Sequence, residues 1–314
     1  NGPAATEIYT LALHDALPIL VLGPLLGRFG EARVSVPGGD DFGHRPIDMH
    51  LKGLEDLGAT FTISHGYIEG RADRLRGAGV LLEYPSVGVT ENLLMAAVLA
   101  RGTTVVDNAA REPEIADLAA FLNRMGSGIT GAGTSTITVE GVDALHAVEH
   151  TVIPDRIEAA TYLAAVGMVG GRITVEGARA DHMDMLISKL REMGVKLESS
   201  PEGLTALAPD RLRSVDVATL PYPGVATDYQ PLFMALLAGA DGVGIVTENV
   251  FGGRFRYIDE LVRMGADIRA EGHHAVVRGV GALSGVSEVH VTDGTFIVAD
   301  AAAEIGRASC MERV

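Results

Sequence analysis

The stretch LREMGVKLE at Leu190–Glu198 has three close copies elsewhere in the chain. The copies are LEDLGATF at Leu54–Phe61, LNRMGSGIT at Leu122–Thr130 and LVRMGADIR at Leu261–Arg269. Their glycines, Gly58, Gly126, Gly194 and Gly265, are spaced 68, 68 and 71 residues apart. This period exceeds that of the common solenoids, so we expect each copy to belong to a small subdomain that occurs four times.

Each copy predicts the end of an amphipathic helix. Apolar residues precede Gly194 at helical spacing, and glycine is the residue that most readily takes the left-handed conformation after a helix. The apolar positions are Met183, Leu186, Ile187, Leu190 and Met193. The same spacing occurs over residues 115–125 and 47–57.

Strands and a second kind of helix complete the pattern. Alternation in ITVEG, at Ile137–Gly141 and again at Ile173–Gly177, predicts half-buried strands. Three more apolar segments predict helices buried on more than one side. They are ENLLMAAVLARG (91–102), IEAATYLAAVGM (157–168) and DYQPLFMALLAG (228–239). These elements predict α/β units with helices inside and sheets outside, or a layered sandwich, and periodicity leaves both open.

Composition limits the possible partners. The 314 residues are 47% hydrophobic and carry a net charge of −16, which argues against binding to nucleic acid or an anionic membrane surface. An anionic substrate would need a local cationic group. The longest apolar run, Ile19–Leu26, is too short to span a bilayer and is interrupted by Gly23 and Pro24. The single cysteine, Cys310, fits a reducing compartment, so we expect a cytoplasmic protein.

The two ends resemble translated sequencing-adapter sequence. EIYTLALHDALPI at Glu7–Ile19 and EIGRASCMERV at Glu304–Val314 have this character. We therefore expect residues 1–19 and 304–314 to be non-native and exclude them, with Cys310, from the functional interpretation.

The most unusual string is PGGDDFGHRPIDMH at Pro37–His50. Its glycines permit close backbone approach to a ligand, and an Arg-Pro pair opens the helix that follows. The spacing of these residues alone is equally consistent with a flexible turn that carries a solvated carboxylate. The string resembles the catalytic loop of the UDP-N-acetylglucosamine 1-carboxyvinyltransferase family of enolpyruvyl transferases.

Further motifs resemble this family in order along about residues 20–300. They are YPSVGVTENLLMAA (84–97), VVDNAAREPEI (105–115), VIPDRIEAATYL (152–163), ATDYQ (226–230), ENVFGGRF (248–255) and RMGA (263–266). The resemblance implies two inside-out α/β barrel-like domains built from repeated units, with about four of six units present. It implies a partial catalytic-loop domain over 20–153 and a partial second domain over 154–303.

The resemblance also implies a reaction. The enolpyruvyl group of phosphoenolpyruvate passes to the 3-hydroxyl of UDP-N-acetylglucosamine, phosphate is released, and neither a metal nor another cofactor takes part. This is the first committed step of peptidoglycan synthesis. Two alternatives remain open: transfer to shikimate 3-phosphate, and a non-catalytic fragment that only binds the nucleotide.

By the resemblance, Asp40 stands where most members have a reactive cysteine. It would protonate phosphoenolpyruvate as a general acid, helped by its neighbour Asp41. Fosfomycin alkylates that cysteine in the family, so Asp40 implies resistance. The resemblance places two groups of residues at the nucleotide. They are Arg45, Pro46, Ile47, Asp48 and Met49 for the nucleotide, and Ser86, Val87 and Gly88 for the diphosphate.

The resemblance also assigns Asp228, Val250 and Arg254. Asp228 would accept the proton of the sugar 3-hydroxyl, and Val250 and Arg254 would form the second wall of the substrate site. Spacing alone would make Asp228 a helix N-cap.

Several features depart from the family pattern. Tyr84 replaces a frequent lysine, and Gly294-Thr295 follow Thr292-Asp293 where the family has an arginine. The family's Lys-Asn pair and late arginines, which hold phosphoenolpyruvate, have no counterpart, so we expect this chain alone to be inactive. His146 and His150 have the i, i+4 spacing of a metal pair but lack a third ligand, and no metal site is predicted.

Overall fold

The computed structural model describes residues 18–36 and 47–284. These residues form two compact units, called unit 1 and unit 2 below, which divide between Ile153 and Pro154. Each unit has two β-sheets and its own hydrophobic core.

The described part of unit 1 starts with a 3-10 helix at Pro18–Val21 and contains two successive repeats. The first repeat consists of α1 (Leu22–Phe29), β1 (Glu31–Ser35), α2 (Asp48–Asp56), β2 (Thr60–Ser64) and β3 (Tyr67–Arg71). The second consists of β4 (Gly79–Leu81), α3 (Val87–Ala97), β5 (Thr103–Asp107), α4 (Pro113–Arg124), β6 (Gly128–Thr130) and β7 (Thr136–Glu140). The sheets have the strand orders β1-β3-β2 and β4-β5-β7-β6. Pairing is antiparallel except between β4 and β5.

Unit 2 repeats this plan. Its first repeat consists of α5 (Arg156–Val169), β8 (Arg172–Glu176), α6 (Asp184–Glu192), β9 (Lys196–Ser200) and β10 (Gly203–Leu207). Its second consists of β11 (Val217–Ala218), α7 (Gln230–Gly239), β12 (Val243–Thr247), α8 (Ile258–Arg263), β13 (Asp267–Glu271) and β14 (His274–Arg278). The sheets are β8-β10-β9 and β11-β12-β14-β13, with a parallel pair only between β11 and β12.

The four predicted repeats are therefore four sheets, each with an amphipathic helix before its hairpin. All four helices end in the same hydrogen-bonded turn. The predicted cap glycines have positive φ angles of 96°, 108°, 107° and 95° in chain order. In the first repeat the Gly58 amide donates to Glu55 at 2.8 Å and the Ala59 amide to Leu54 at 3.0 Å, which is the Schellman pair of bonds. The following strand begins two residues after the glycine in every repeat.

The apolar helices lie inside and the sheets outside, which is the first of the two predicted arrangements. In α7 every residue from Gln230 to Ala238 is buried. Within unit 1, α1 packs on α3, and within unit 2, α5 packs on α7. Strands such as β5 and β7 alternate between buried and exposed residues, so one face covers the helices and the other faces solvent. The layered sandwich does not form.

The two ITVEG strings are both strands, but they are not equivalent strands. Residues 136–140 form β7, which lies between β5 and β6, whereas residues 172–176 form β8 at the edge of its sheet. Ile19, which the sequence interpretation assigns to a non-native end, is buried in the core of unit 1. Within residues 18–36 and 47–284, no helix combines the length and apolar character that crossing a membrane requires.

Candidate active site

In unit 1, the predicted diphosphate residues lie at the beginning of α3. Ser86 is the N-cap, and its hydroxyl accepts a hydrogen bond from the Val89 amide at 3.4 Å. Val87 and Gly88 occupy the first turn, where amides have no carbonyl partner within the helix. Such amides, together with the helix dipole, favour an anion. The location of these three residues therefore suits phosphate.

The second predicted group of unit 1 lies at the beginning of α2. Ile47 is the N-cap of this helix, Asp48 is exposed in its first turn, and Met49 packs on the core. Arg45 and Pro46, the remaining predicted residues of this group, and Asp40, the predicted general acid, lie outside the described residues. Their roles stay predictions.

A buried contact connects these two helix beginnings. His50 Nδ1 lies 3.0 Å from Asn92 Nδ2, and the amide nitrogen can only donate, so Nδ1 accepts and the proton is on Nε2. A Cβ added at Gly88 would lie 3.7 Å from His50 Nε2. Burial lowers the pKa of His50 to about 4, against a smaller opposing effect of Asp48. A neutral histidine therefore borders the first turn of α3.

Asn92 itself joins three segments of unit 1. Its side chain is fully buried, accepts from the Gly23 amide at 2.7 Å and donates to the Ile19 carbonyl at 2.9 Å. A Cβ added at Gly23 would lie 2.3 Å from the Asn92 carbonyl oxygen, so only glycine permits this approach. The beginning of α3 is thus held in place by α1 as well as by α2.

Three carboxylates of unit 1 form a cluster that the sequence interpretation missed. The pKa of Glu91 is raised to about 7, chiefly by burial and to a smaller extent by the nearby charges of Glu114 and Glu112. Glu112 is buried, and its Oε2 has no hydrogen-bond partner among the described residues. These residues lie in two of the motifs quoted above, at 84–97 and 105–115. Their spacing along the chain does not indicate that the two motifs lie close together in the fold.

In unit 2, the structure brings two of the three predicted residues into direct contact. Arg254 Nη2 lies 2.9 Å from Asp228 Oδ1. The arginine side chain is only 6% exposed, whereas the aspartate side chain is 49% exposed. A buried guanidinium therefore fixes a carboxylate that remains open to solvent. The N-caps of the 3-10 helix Thr227–Tyr229 and of α7 are Ala226 and Tyr229, so Asp228 caps neither helix.

A second, buried carboxylate organises the surroundings of this pair. Glu248 is 2% exposed and accepts four hydrogen bonds. Their donors are the Thr219 hydroxyl (2.8 Å), the Thr227 hydroxyl (2.9 Å), the Val250 amide (2.7 Å) and the Phe251 amide (3.0 Å). The Thr227 hydroxyl also accepts from Arg254 Nη1 at 3.1 Å. Val250, the third predicted residue of unit 2, is thus held through its backbone.

The histidine pair has no helical geometry. His146 and His150 lie in an irregular segment, so their i, i+4 spacing does not place them on one helix face. His150 Nε2 instead lies 3.0 Å from Asp117 Oδ1. Within residues 18–36 and 47–284, no group of three or more His, Cys, Asp or Glu side chains is arranged to hold a metal ion.

Comparison with known proteins places this architecture in one class. The model of the family described as EPSP synthase (3-phosphoshikimate 1-carboxyvinyltransferase) matches residues 6–294. The enolpyruvyl transferase NikO from Streptomyces tendae has a similar structure, with a TM-score of 0.78 and 26% identity over 90% of this chain and 69% of that chain. An EPSP synthase from Acinetobacter baumannii shares the fold, with a TM-score of 0.60 and 21% identity over 87% of this chain and 66% of that chain. The fold is therefore that of the enolpyruvyl transferases.

Curated relatives show which group of enolpyruvyl transferases this chain resembles. A UDP-N-acetylglucosamine 1-carboxyvinyltransferase 1 from Symbiobacterium thermophilum is 57% identical over 290 residues, which are 92% of this chain and 65% of the relative. A protein of the same name from Caldanaerobacter subterraneus subsp. tengcongensis is 50% identical over 91% of this chain and 68% of the relative. This chain belongs to the EPSP synthase family of enolpyruvyl transferases and resembles its UDP-N-acetylglucosamine 1-carboxyvinyltransferases. It spans about two thirds of their length.

Proposed function

We propose that the whole protein transfers the enolpyruvyl group of phosphoenolpyruvate to the 3-hydroxyl of UDP-N-acetylglucosamine, with release of phosphate. The observation that carries this proposal is the half-exposed carboxylate of Asp228, held 2.9 Å from a buried arginine. A fixed carboxylate that is open to solvent can accept a proton from a bound hydroxyl. The names of the curated relatives support the choice of substrates.

In this proposal the named residues have the following roles. The first turn of α3 binds the diphosphate through its amides, and the beginning of α2 contacts the nucleotide. Asp228 takes the proton from the sugar 3-hydroxyl, while Arg254 and Val250 border the sugar. Asp40 gives a proton to C3 of phosphoenolpyruvate, and Arg45 supplies the local positive charge that an anionic substrate needs in a chain with a net charge of −16. The reaction takes place in the cytoplasm as a step of peptidoglycan synthesis.

The binding half of the proposal is tested with the chain as it stands. We expect calorimetry to detect binding of UDP-N-acetylglucosamine to this chain. We expect no binding of shikimate 3-phosphate at the same concentrations. The reverse result would identify the protein as a shikimate 3-phosphate enzyme. Binding of neither ligand would contradict the proposal.

The catalytic half is tested by replacing Asp228 with asparagine in a chain extended to the length of the relatives. Because a general base acts in the transition state, Asp228→Asn should lower phosphate release by roughly 10²–10⁴-fold and leave nucleotide affinity within a few fold. Normal turnover with weakened nucleotide binding would show instead that Asp228 anchors the ligand.

The same extended chain should resist fosfomycin. An aspartate carboxylate is a much poorer nucleophile toward an epoxide than a thiolate is, and residue 40 is aspartate. Intact-mass measurement after incubation with fosfomycin should show no adduct, and Asp40→Cys should gain one adduct and lose activity. Formation of the adduct in the Asp40 protein would contradict this expectation.

A further inference from the structure

We infer that Glu248 is a positioning residue for the proposed reaction, which holds Asp228, Arg254 and Val250 in place without touching substrate. This inference rests on the proposed function and names a residue to which the proposed reaction assigns no chemical step. Glu248 directly follows β12 and is almost completely buried. Burying a carboxylate is unfavourable unless hydrogen bonds replace its water, so its four donors require explanation.

The four hydrogen bonds of Glu248 divide between its two oxygen atoms. Oε1 accepts from the Thr219 hydroxyl and from the Val250 and Phe251 amides, which shapes the loop that carries Val250. Oε2 accepts from the Thr227 hydroxyl at 2.9 Å. One oxygen therefore holds the loop after β12, and the other holds the residue that precedes Asp228.

The hydrogen bonds from Arg254 through Thr227 to Glu248 can run in only one direction. A guanidinium can only donate, so the Thr227 hydroxyl accepts from Arg254 Nη1 and must give its single proton to Glu248. The other nitrogen of the same guanidinium, Nη2, contacts Asp228. The acceptor character of Glu248 thus sets the orientation of Thr227, and Thr227 helps to set that of Arg254.

Glutamine cannot replace Glu248 in either orientation of its amide. If its NH₂ group faced Thr227, the hydroxyl would meet two donors and lose its acceptor. If its oxygen faced Thr227, the NH₂ group would face two backbone amides, which are also donors. The isosteric change Glu248→Gln therefore disturbs either the Asp228 side or the Val250 side of the network.

The test measures UDP-N-acetylglucosamine affinity of the whole chain by calorimetry, together with melting temperature. Glu248→Gln should weaken binding roughly 10- to 100-fold, the effect of losing one hydrogen bond to a charged group. Thr227→Val removes only the connecting hydroxyl and should also weaken nucleotide binding. Thr227→Ser keeps the hydroxyl and should bind the nucleotide as the unaltered chain does. Glu260→Gln is the matched control, since Glu260 is a buried glutamate of unit 2 that pairs with Arg263 outside this network.

The outcomes separate the inference from the proposed function. If the unaltered chain binds the nucleotide and Glu248→Gln weakens binding no more than Glu260→Gln does, the inference is wrong. If the unaltered chain does not bind UDP-N-acetylglucosamine, the proposed function is wrong. Hydrogen exchange in the ligand-free protein then tests whether Glu248 holds the neighbouring residues in place. Glu248→Gln should then accelerate exchange either of the Val250 and Phe251 amides or of the Arg254 guanidinium, depending on which way its amide faces, and Thr227→Val should accelerate exchange of the Arg254 guanidinium. Unchanged exchange would overturn the inference.

Discussion

Two titratable residues of unit 1, the partly buried Glu91 and the buried His50, oppose each other in their effect on stability. Glu91 has a raised pKa because burial and two neighbouring glutamates disfavour its anion. His50 has a lowered pKa because burial disfavours its cation. Both groups are consequently neutral in part of the range where the unfolded chain would charge them, and the pH dependence of each has its own sign.

Glu91→Gln should stabilise unit 1 at pH 8 and leave it unchanged at pH 4. The pKa of Glu91 rises from 4.5 to about 7 on folding. The folded state therefore keeps a proton that the unfolded chain releases, and stability falls as pH rises through this window. The glutamine variant avoids this loss, which we place at roughly 2–3 kcal/mol. Urea unfolding at both pH values measures it, with the exposed Glu55→Gln as control. An equal effect at pH 4 and pH 8 would contradict the assignment.

His50 should make unit 1 less stable in acid. Its pKa falls from 6.5 to about 4 on folding, so the unfolded chain takes up a proton first and stability is lost as pH falls through this interval. His50→Gln, whose side-chain oxygen can still accept from Asn92, should abolish that part of the pH dependence. Urea unfolding from pH 4 to pH 7 provides the measurement, and His146→Gln, at an exposed histidine of the same unit, serves as control. Parallel curves for His50→Gln and the unaltered chain would show that the loss arises elsewhere.

At the scale of single elements, the repeated turn after each amphipathic helix determines where the strands begin. In each repeat the Schellman bonds hold the glycine at a positive φ. The residue after the glycine donates its amide to a leucine carbonyl five positions earlier, and this leucine is buried in each repeat. This geometry depends on residues within a few positions of each other, which is why the apolar spacing and the glycine that follows it predicted the helix ends.

Gly58→Ala should destabilise unit 1 by about 1–2 kcal/mol. No atom lies within 4 Å of the Cβ that alanine would add, so the cost comes from the left-handed backbone at φ 96° and not from a clash. Gly239→Ala is a suitable comparison, because it also has open space but lies in the last turn of α7 without a positive φ. This second change should be neutral or stabilise by up to about 1 kcal/mol. Similar effects of the two changes on thermal unfolding would argue against backbone strain.

At the scale of the whole molecule, the two units have separate cores. Buried side chains from Ile19 to Val139 form one cluster, and those from Ala159 to Val277 form another. Each unit also has two sheets of its own. A chain of this kind should contain units that fold separately.

Residues 154–284 expressed alone should therefore fold. A segment of about 130 residues is long enough to bury a stable core, and all of the hydrophobic cluster of unit 2 lies within it. We expect a cooperative thermal transition and dispersed amide resonances. The shorter segment 154–240 should lack both, since it omits β12, β13 and β14. A non-cooperative transition of the longer segment would show that unit 2 depends on the rest of the chain.

The sequence by itself determined the features that depend on neighbouring residues. Helix ends follow from apolar spacing and the capping glycines, the buried helices follow from continuous apolar runs, and the four repeats follow from both. The resemblance of quoted motifs added the family, which the comparisons confirm. It also proposed the site residues, whose roles remain to be tested by the experiments above.

Only the tertiary structure decided which of these residues meet. The two identical ITVEG strings occupy different places in their sheets, because strand pairing depends on partners distant in the chain. Asp228 caps neither adjacent helix, and its side chain instead pairs with Arg254, 26 residues away. Glu248 stood unnoticed within a known motif, and Glu91 had no local signal at all. Burial, charge neighbours and hydrogen-bond partners arise from contacts between remote segments, and periodicity along the chain does not record those contacts.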